Sequence, residues 1–249
     1  MAKLRLGETV ASVEQLANNN VCVHLESCKR IKANMVLFAA GRLSNMENLQ
    51  LEKAGIVPDE RGRIAVDEHF RTEVDHIYAA GDVIGFPALA STSMEQDRQA
   101  ACHVFDGALF DIREDLFPFG IYAVPKMSVV GKTEEQLRED NIPYESGIAR
   151  FRETSRGQIL GLREGLLKLL FHLDTRELLG VHIVGEGATE SVHIGQAVLA
   201  HEGKLEYFVS AVFNYPTLAE TYKITALDGF NKMGGAGTTN LRLLVNQSM

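Results

Sequence analysis

The chain has 249 residues, 45% of them hydrophobic, and carries a net charge of −8 from 25 basic and 33 acidic side chains. At about 150 residues per domain that is one large domain or two ordinary ones, and the acidic balance is the wrong sign for gripping nucleic acid or an anionic membrane surface. No apolar run reaches the ~18 residues of a bilayer span and no signal-peptide-like stretch follows Met1, so a cytoplasmic setting is expected.

In chain order, residues 9–13 and 21–25 alternate as short strands, and Cys22, between Val21 and Val23, reads as core filler. With Cys28 and Cys102 it makes an odd set whose spacing fits neither a metal site nor a disulfide framework. The run Met35-Val36-Leu37-Phe38-Ala39-Ala40 is apolar on both faces and predicts a strand covered on both sides. Leu51-Glu52-Lys53-Ala54-Gly55 predicts a short helix closing on its glycine, followed by strands at 64–66 and 77–80 and a helix over 89–105. Charged residues with Phe117, Pro118 and Gly120 break the periodicity around 111–119, which marks a domain boundary.

Beyond the boundary, strands are predicted at 121–124, 127–130, 144–151, 165–173 and 178–184, the last two joined by the polar segment 174–177. Thr133-Glu134-Glu135-Gln136 is a capping box that opens a helix over 134–140, and further helices are predicted at 189–202 and 217–229. The fold class is therefore mixed, α/β followed by α+β, with helices gathered on an antiparallel sheet in the second part. The Gly-rich tail from Lys232 reads as mobile.

The predicted strand at 77–80 runs directly into Gly81-Asp82, which places a carboxylate at the carboxyl edge of a sheet, where open α/β sheets bind ligands. Such a pair is also a common turn, but here Leu89-Ala90 follows as a helix start, whose free N–H groups suit an anion. His182 and His193 lie within apolar periodic segments and read as core or interface residues.

Several of these segments together resemble the two-dinucleotide-domain flavoprotein disulfide reductases, the family of dihydrolipoamide dehydrogenase and glutathione reductase. Ala39-Ala40-Gly41-Arg42 is similar to that family's strand leaving the NAD domain, and Tyr78-Ala79-Ala80-Gly81-Asp82 to its second FAD motif. Ile121 to Pro125, Val129 to Glu134 and Gly180 to Gly185 are similar to its dimerisation domain. The resemblance implies that Gly81 and Asp82 meet the ribityl chain of FAD and that backbone around Leu89 and Ala90 meets the isoalloxazine. It also implies a homodimer through the C-terminal domain, with NAD and NADP as substrates. Residues 1–40 would end an NAD(P)-binding domain, 41–117 would close a partial FAD-binding domain, 118–231 would form the dimerisation domain, and 232–249 a flexible tail.

The segment Phe213-Asn214-Tyr215-Pro216-Thr217-Leu218-Ala219-Glu220 sets the subgroup. Disulfide-reducing members carry His-Pro-Thr there, with a Glu five residues after the His as its acid–base partner. Here Tyr215 replaces the His, and a phenol with a reference pKa of about 10 is a poor base at neutral pH. Hydride exchange between nicotinamide nucleotides through the flavin needs no such relay and is the activity implied; a dihydrolipoamide dehydrogenase-like reductase and a flavin-free dimerisation module are the alternatives. Tyr215 either packs against the partner's flavin region or helps to position substrate. Glu220 either serves the site or closes a capping box with Thr217.

No strand, Gly-x-Gly-x-x-Gly turn and helix of the kind that cradles a dinucleotide pyrophosphate occurs in the 249 residues. The purified chain is therefore expected to be colourless and inactive. Flavin absorbance that stays with the protein on gel filtration, together with hydride transfer from NADPH to an NAD analogue, would refute this.

Overall fold

The computed structural model describes residues 3–41, 43–105, 107 and 113–233, and the chain divides into two units, Met1–Ala65 and Val66–Met249. In the first, β1 Val10–Gln15, β2 Val21–Leu25 and β3 Arg30–Ala33 form an antiparallel meander in that order. Each connecting turn needs one residue in the left-handed region, supplied by Asn19 at φ 62 and Cys28 at φ 64. Asparagine adopts this conformation readily. Cys28 is held there by a 2.9 Å bond from its N–H to the carbonyl of Leu25. Val23 and Leu25 are buried on one face of β2, as alternation in the sequence requires, and Cys22 is buried on the opposite face. β3 escapes the sequence pattern because its exposed residues are mostly charged.

Two expected strands of this region are not strands. Residues 35–40 pair with no strand among the described residues and lie exposed, Leu37 at 90%. An apolar run becomes a strand only where neighbouring strands take up its N–H and C=O groups, and none does so here. Residues 64–66 likewise join no ladder among the described residues, although Ile64 is buried. The short helix at 51–54 forms as a 3-10 turn and closes on Gly55 at φ 80.

The second unit opens with a tight hairpin in which Arg71 and Tyr78 make a single antiparallel bridge, so the expected strand at 77–80 is only the hairpin's returning arm. Helix α1, Ala90–Val104, follows. The expected boundary at 111–119 falls partly outside the described residues, as does the tail beyond Met233. β4 Phe119–Ile121, β5 Met127–Gly131, β6 Tyr144–Arg150, β7 Leu166–His172 and β8 Leu178–Val184 then form one antiparallel sheet in the order β4-β5-β8-β7-β6. β4 stops at Ile121, and residues 123–125 bend.

The helices are α2 Glu134–Glu139, α3 Ser155–Ile159, α4 Ala188–Ala200, α5 Leu205–Ser210 and α6 Glu220–Met233. The capping box of Thr133 and Gln136 forms as expected. α4 packs on β5 and β8, and α6 on β6 and β7. Between helices and sheet lies a core of Val130, Leu167, Leu169, Phe171, Val181 and Ile183 with Val192, Phe208, Tyr222 and Ala226, each at most 1% exposed. Its strand members recur every second residue, as the pleat demands.

The approach of α6 to β6 is closest at Gly147. A Cβ there would stand 2.1 Å from the carbonyl oxygen of Thr225, and one on Gly229 would stand 2.5 Å from the Phe171 ring. Main chain cannot yield as a side-chain tip can, so Gly147→Ala should lower stability by about 1–3 kcal/mol through overpacking. Urea denaturation of the variant beside the parent chain measures it.

Candidate functional site

Two clusters in the second unit carry the expected site residues. The first is built from the hairpin that ends in Gly81. Buried Thr72 organises it, donating its hydroxyl to the carbonyl of Ile77 at 2.9 Å and accepting the N–H of Val74 at 3.1 Å. Its arm then delivers Gly81, at φ +84, beneath α1. The N–H of Gly81 donates to Oε1 of buried Gln96 at 2.8 Å, and a Cβ on Gly81 would lie 3.1 Å from the hydroxyl of Ser93. Backbone sign and close approach both demand glycine here.

Asp82 follows in a 3-10 turn, Gly81–Ile84, with its side chain exposed and its carboxylate unbonded to any described residue. Leu89, extended at φ −119, begins α1 without a side-chain cap. Thr92 and Ser93 do not cap the first turn either, since both hydroxyls turn back to the carbonyl of Leu89 at 2.8 and 2.9 Å. The start of α1 therefore has N–H groups free to meet an acceptor. Leu89 and Ala90 also line a cavity of about 570 Å³ with Met94, Phe117, Tyr122 and His193. His193 is exposed in this chain, its Nδ1 2.7 Å from Oε1 of Gln196, and is not a core residue.

The second cluster is the loop before α6. Lys223 donates to the carbonyl of Ala211 at 3.0 Å, Phe213 stacks on Tyr222 at 6.5 Å between centroids, and the Thr217 hydroxyl donates to the carbonyl of Asn214 at 2.6 Å. Tyr215 is 73% exposed at the tip, with its hydroxyl bonded to that of Ser155. The expected capping box of Thr217 and Glu220 does not form, because the threonine hydroxyl is engaged with Asn214 and α6 begins only at Glu220. One buried carboxylate oxygen of Glu220 and the hydroxyl of fully buried Thr221 have no hydrogen-bond partner among the described residues. Neither Tyr215 nor Glu220 lines the cavity beside α1, so within one chain the two clusters are separate features.

Ser155 is the residue that sequence reasoning missed. It lies 60 positions from Tyr215 in a segment with no strong periodicity, and no local pattern joins the two.

The pyridine nucleotide-disulphide oxidoreductase model matches residues 2–96, and the dimerisation-domain model of the same family matches residues 117–226. The chain belongs to the pyridine nucleotide-disulphide oxidoreductase family. Among the relatives of this family member, the soluble pyridine nucleotide transhydrogenase of Mycobacterium bovis (strain BCG / Pasteur 1173P2) is 53% identical over 92% of this chain and 48% of the relative. The soluble pyridine nucleotide transhydrogenase of Photobacterium profundum is 45% identical over 93% of this chain and 50% of the relative. The chain thus spans about half the length of the curated relatives it matches. A solved structure, the HOCl-induced flavoprotein disulfide reductase RclA from Escherichia coli, superposes with a TM-score of 0.76 at 25% identity, over 88% of this chain and 50% of that one. Among the described residues of this family member no helix is long and apolar enough to cross a membrane, and no group of three or more His, Cys, Asp or Glu side chains could hold a metal ion.

A buried hydroxyl without a partner is a net cost. Thr221→Val, which keeps the shape and removes the polar atom, should therefore be as stable as the parent or up to about 1 kcal/mol more stable. A thermal midpoint well below that of the parent would show that the hydroxyl is satisfied after all.

Proposed function

We propose that this chain forms part of a flavin-dependent transhydrogenase that moves hydride between NADPH and NAD+. The observation that carries the reading is Tyr215, which stands where disulfide-reducing relatives need a base and is bonded to Ser155, while Glu220 keeps an unpartnered carboxylate oxygen. A histidine–glutamate proton relay has no counterpart in that arrangement. Curated relatives at 45–53% identity, named soluble pyridine nucleotide transhydrogenase, support the same reading.

The first cluster fits FAD in its chemistry. The free carboxylate of Asp82 would accept a ribityl hydroxyl, Gly81 keeps the turn tight against α1, and the uncapped N–H groups after Leu89 and Ala90 would face the electron-rich edge of the ring system. When bound, the flavin supplies the hydride acceptor and donor for the two nicotinamides. The chain's own residues orient it and set the charge around it.

On this reading, residues 1–40 end the NAD(P)-binding domain, 41–117 close the FAD-binding domain, and 118–231 form the dimerisation domain. The protein works in the cytoplasm as a homodimer, and Tyr215 of each copy meets the flavin region of the other.

The test uses flavin-loaded protein containing this chain, with NADPH as donor and thio-NAD+ or lipoamide as acceptor. Thio-NAD+ should be reduced and lipoamide should not; preferential lipoamide reduction would make the protein a disulfide reductase. Asp82→Ala should weaken flavin retention roughly 10- to 100-fold, the worth of a hydrogen bond to a charged group. Unchanged retention would remove Asp82 from the site.

A further inference from the structure

We propose that Ser155 is the positioning residue of Tyr215: its hydroxyl holds the exposed ring in the pose in which it meets a second copy of this chain. The proposal rests on the dimeric reading given above and adds the residue that fixes its contact.

An exposed tyrosine ring free to change rotamer must be ordered when a partner binds, and that ordering weakens association. Tyr215 is not free, although 73% of it is exposed, because its hydroxyl is tied to Ser155 from a distant part of the chain. The anchor itself has little slack. Ser155 is the first residue of α3, directly after Thr154, which accepts the N–H of Gly157 at 3.0 Å and donates to the carbonyl of Phe151 at 2.8 Å. Phe151 is 1% exposed, and a Cβ on Gly157 would lie 1.8 Å from the Phe151 carbonyl oxygen, so the segment 151–157 is packed to contact.

The other end of the loop is equally fixed, by Lys223 on the carbonyl of Ala211 and by Phe213 on Tyr222. Held at both ends, the loop presents Val212, 95% exposed, and Tyr215 as a preformed apolar knuckle. Glu220, which the resemblance places as the acid–base partner of position 215, takes no part in the tether: its buried oxygen bonds to none of the described residues. The tyrosine at this position thus comes with its own anchor, a serine hydroxyl in place of a carboxylate.

Labelling the full chain with 3-fluorotyrosine gives each tyrosine a 19F resonance, and the signal lost in Tyr215→Phe identifies Tyr215. Ser155→Ala should move or broaden that resonance alone, and Ser155→Thr, which keeps a hydroxyl, should restore it. In sedimentation equilibrium Ser155→Ala should weaken the dimer roughly two- to tenfold, and should add nothing in a Tyr215→Phe background. An unmoved Tyr215 resonance in a dimeric chain overturns the tether. A moved resonance with an unchanged dimer constant overturns the positioning role. A chain that stays monomeric at every concentration overturns the proposal through the dimeric reading, with the resonance shift still reporting whether the tether exists.

Discussion

The hydroxyl of Tyr222 reaches into α4, and the arrangement of the helical layer follows from that contact. It donates to the carbonyl of Ser191 at 2.8 Å and accepts the N–H of Gly195 at 3.1 Å, the pair of groups that the helical ladder itself would join. A fully buried phenol is tolerable only when its polar atom is satisfied, and burial pushes its pKa far above the ordinary value, so it remains a neutral donor at any working pH. Gly195 makes the approach possible: a Cβ there would lie 2.5 Å from the Val181 side chain and 3.0 Å from the Tyr222 hydroxyl. The ring meanwhile stacks on Phe208 of α5 at 5.0 Å and on Phe213 at 6.5 Å. One side chain therefore sets α4, α5 and α6 against one another and also roots the loop that carries Tyr215.

The strip of the sheet that includes Lys168 and His182 is organised by charge. Glu134, in the first turn of α2, receives Lys168 from β7, Arg138 from its own helix and the Tyr144 hydroxyl from β6. The Lys168 contact, first among these, holds the carboxyl below its ordinary range. His182 on β8 stands in register with Lys168, and burial pushes its pKa down, so a neutral ring with Nε2 on the Lys132 carbonyl fits the site. These groups satisfy one another and pin α2 to the sheet. Their mutual saturation is why they read as structure, whereas Asp82 and the uncapped turn after Leu89 are left with unused hydrogen-bonding capacity.

Most of the second unit was legible from local patterns. The alternation of Leu167, Leu169 and Phe171, the polar link at 174–177 and the Thr133 capping box each arise from interactions within a few residues, which a sequence displays directly. The strands expected at 35–40 and 64–66 were not found, because a strand is a property of its neighbours and no ladder reaches these segments among the described residues, while 77–80 made only the single Arg71–Tyr78 bridge. The Gly81 turn was legible because glycine's conformational freedom and the following helix start are both local. The tie between Ser155 and Tyr215 was not, since it joins residues 60 positions apart that only the folded second unit brings together. The Thr217 capping box failed for a related reason: α6 starts three residues later than the pattern suggests, and the threonine hydroxyl closes the preceding turn instead.

On the proposed reading, a tyrosine at position 215, where disulfide-reducing members carry a histidine, has a physical consequence wider than the loss of one base. A relay to a disulfide must take up and return a proton near neutral pH, and it needs both a group that titrates there and a carboxylate that orients it. A phenol meets neither need, since it does not titrate near neutral pH, and among the described residues the Tyr215 hydroxyl is bonded to Ser155 and to no carboxylate. Hydride exchange between two nicotinamides makes a different demand. Both must occupy the same flavin face in turn, so the surrounding surface has to be shaped and steady, with no proton moving through it. On the proposed reading, a tyrosine tied at its hydroxyl to Ser155, in a loop rooted through Phe213 on Tyr222, would supply a fixed aromatic wall of that kind. On the proposed reading, the partner subunit contributes shape at the position where disulfide reductases contribute a proton.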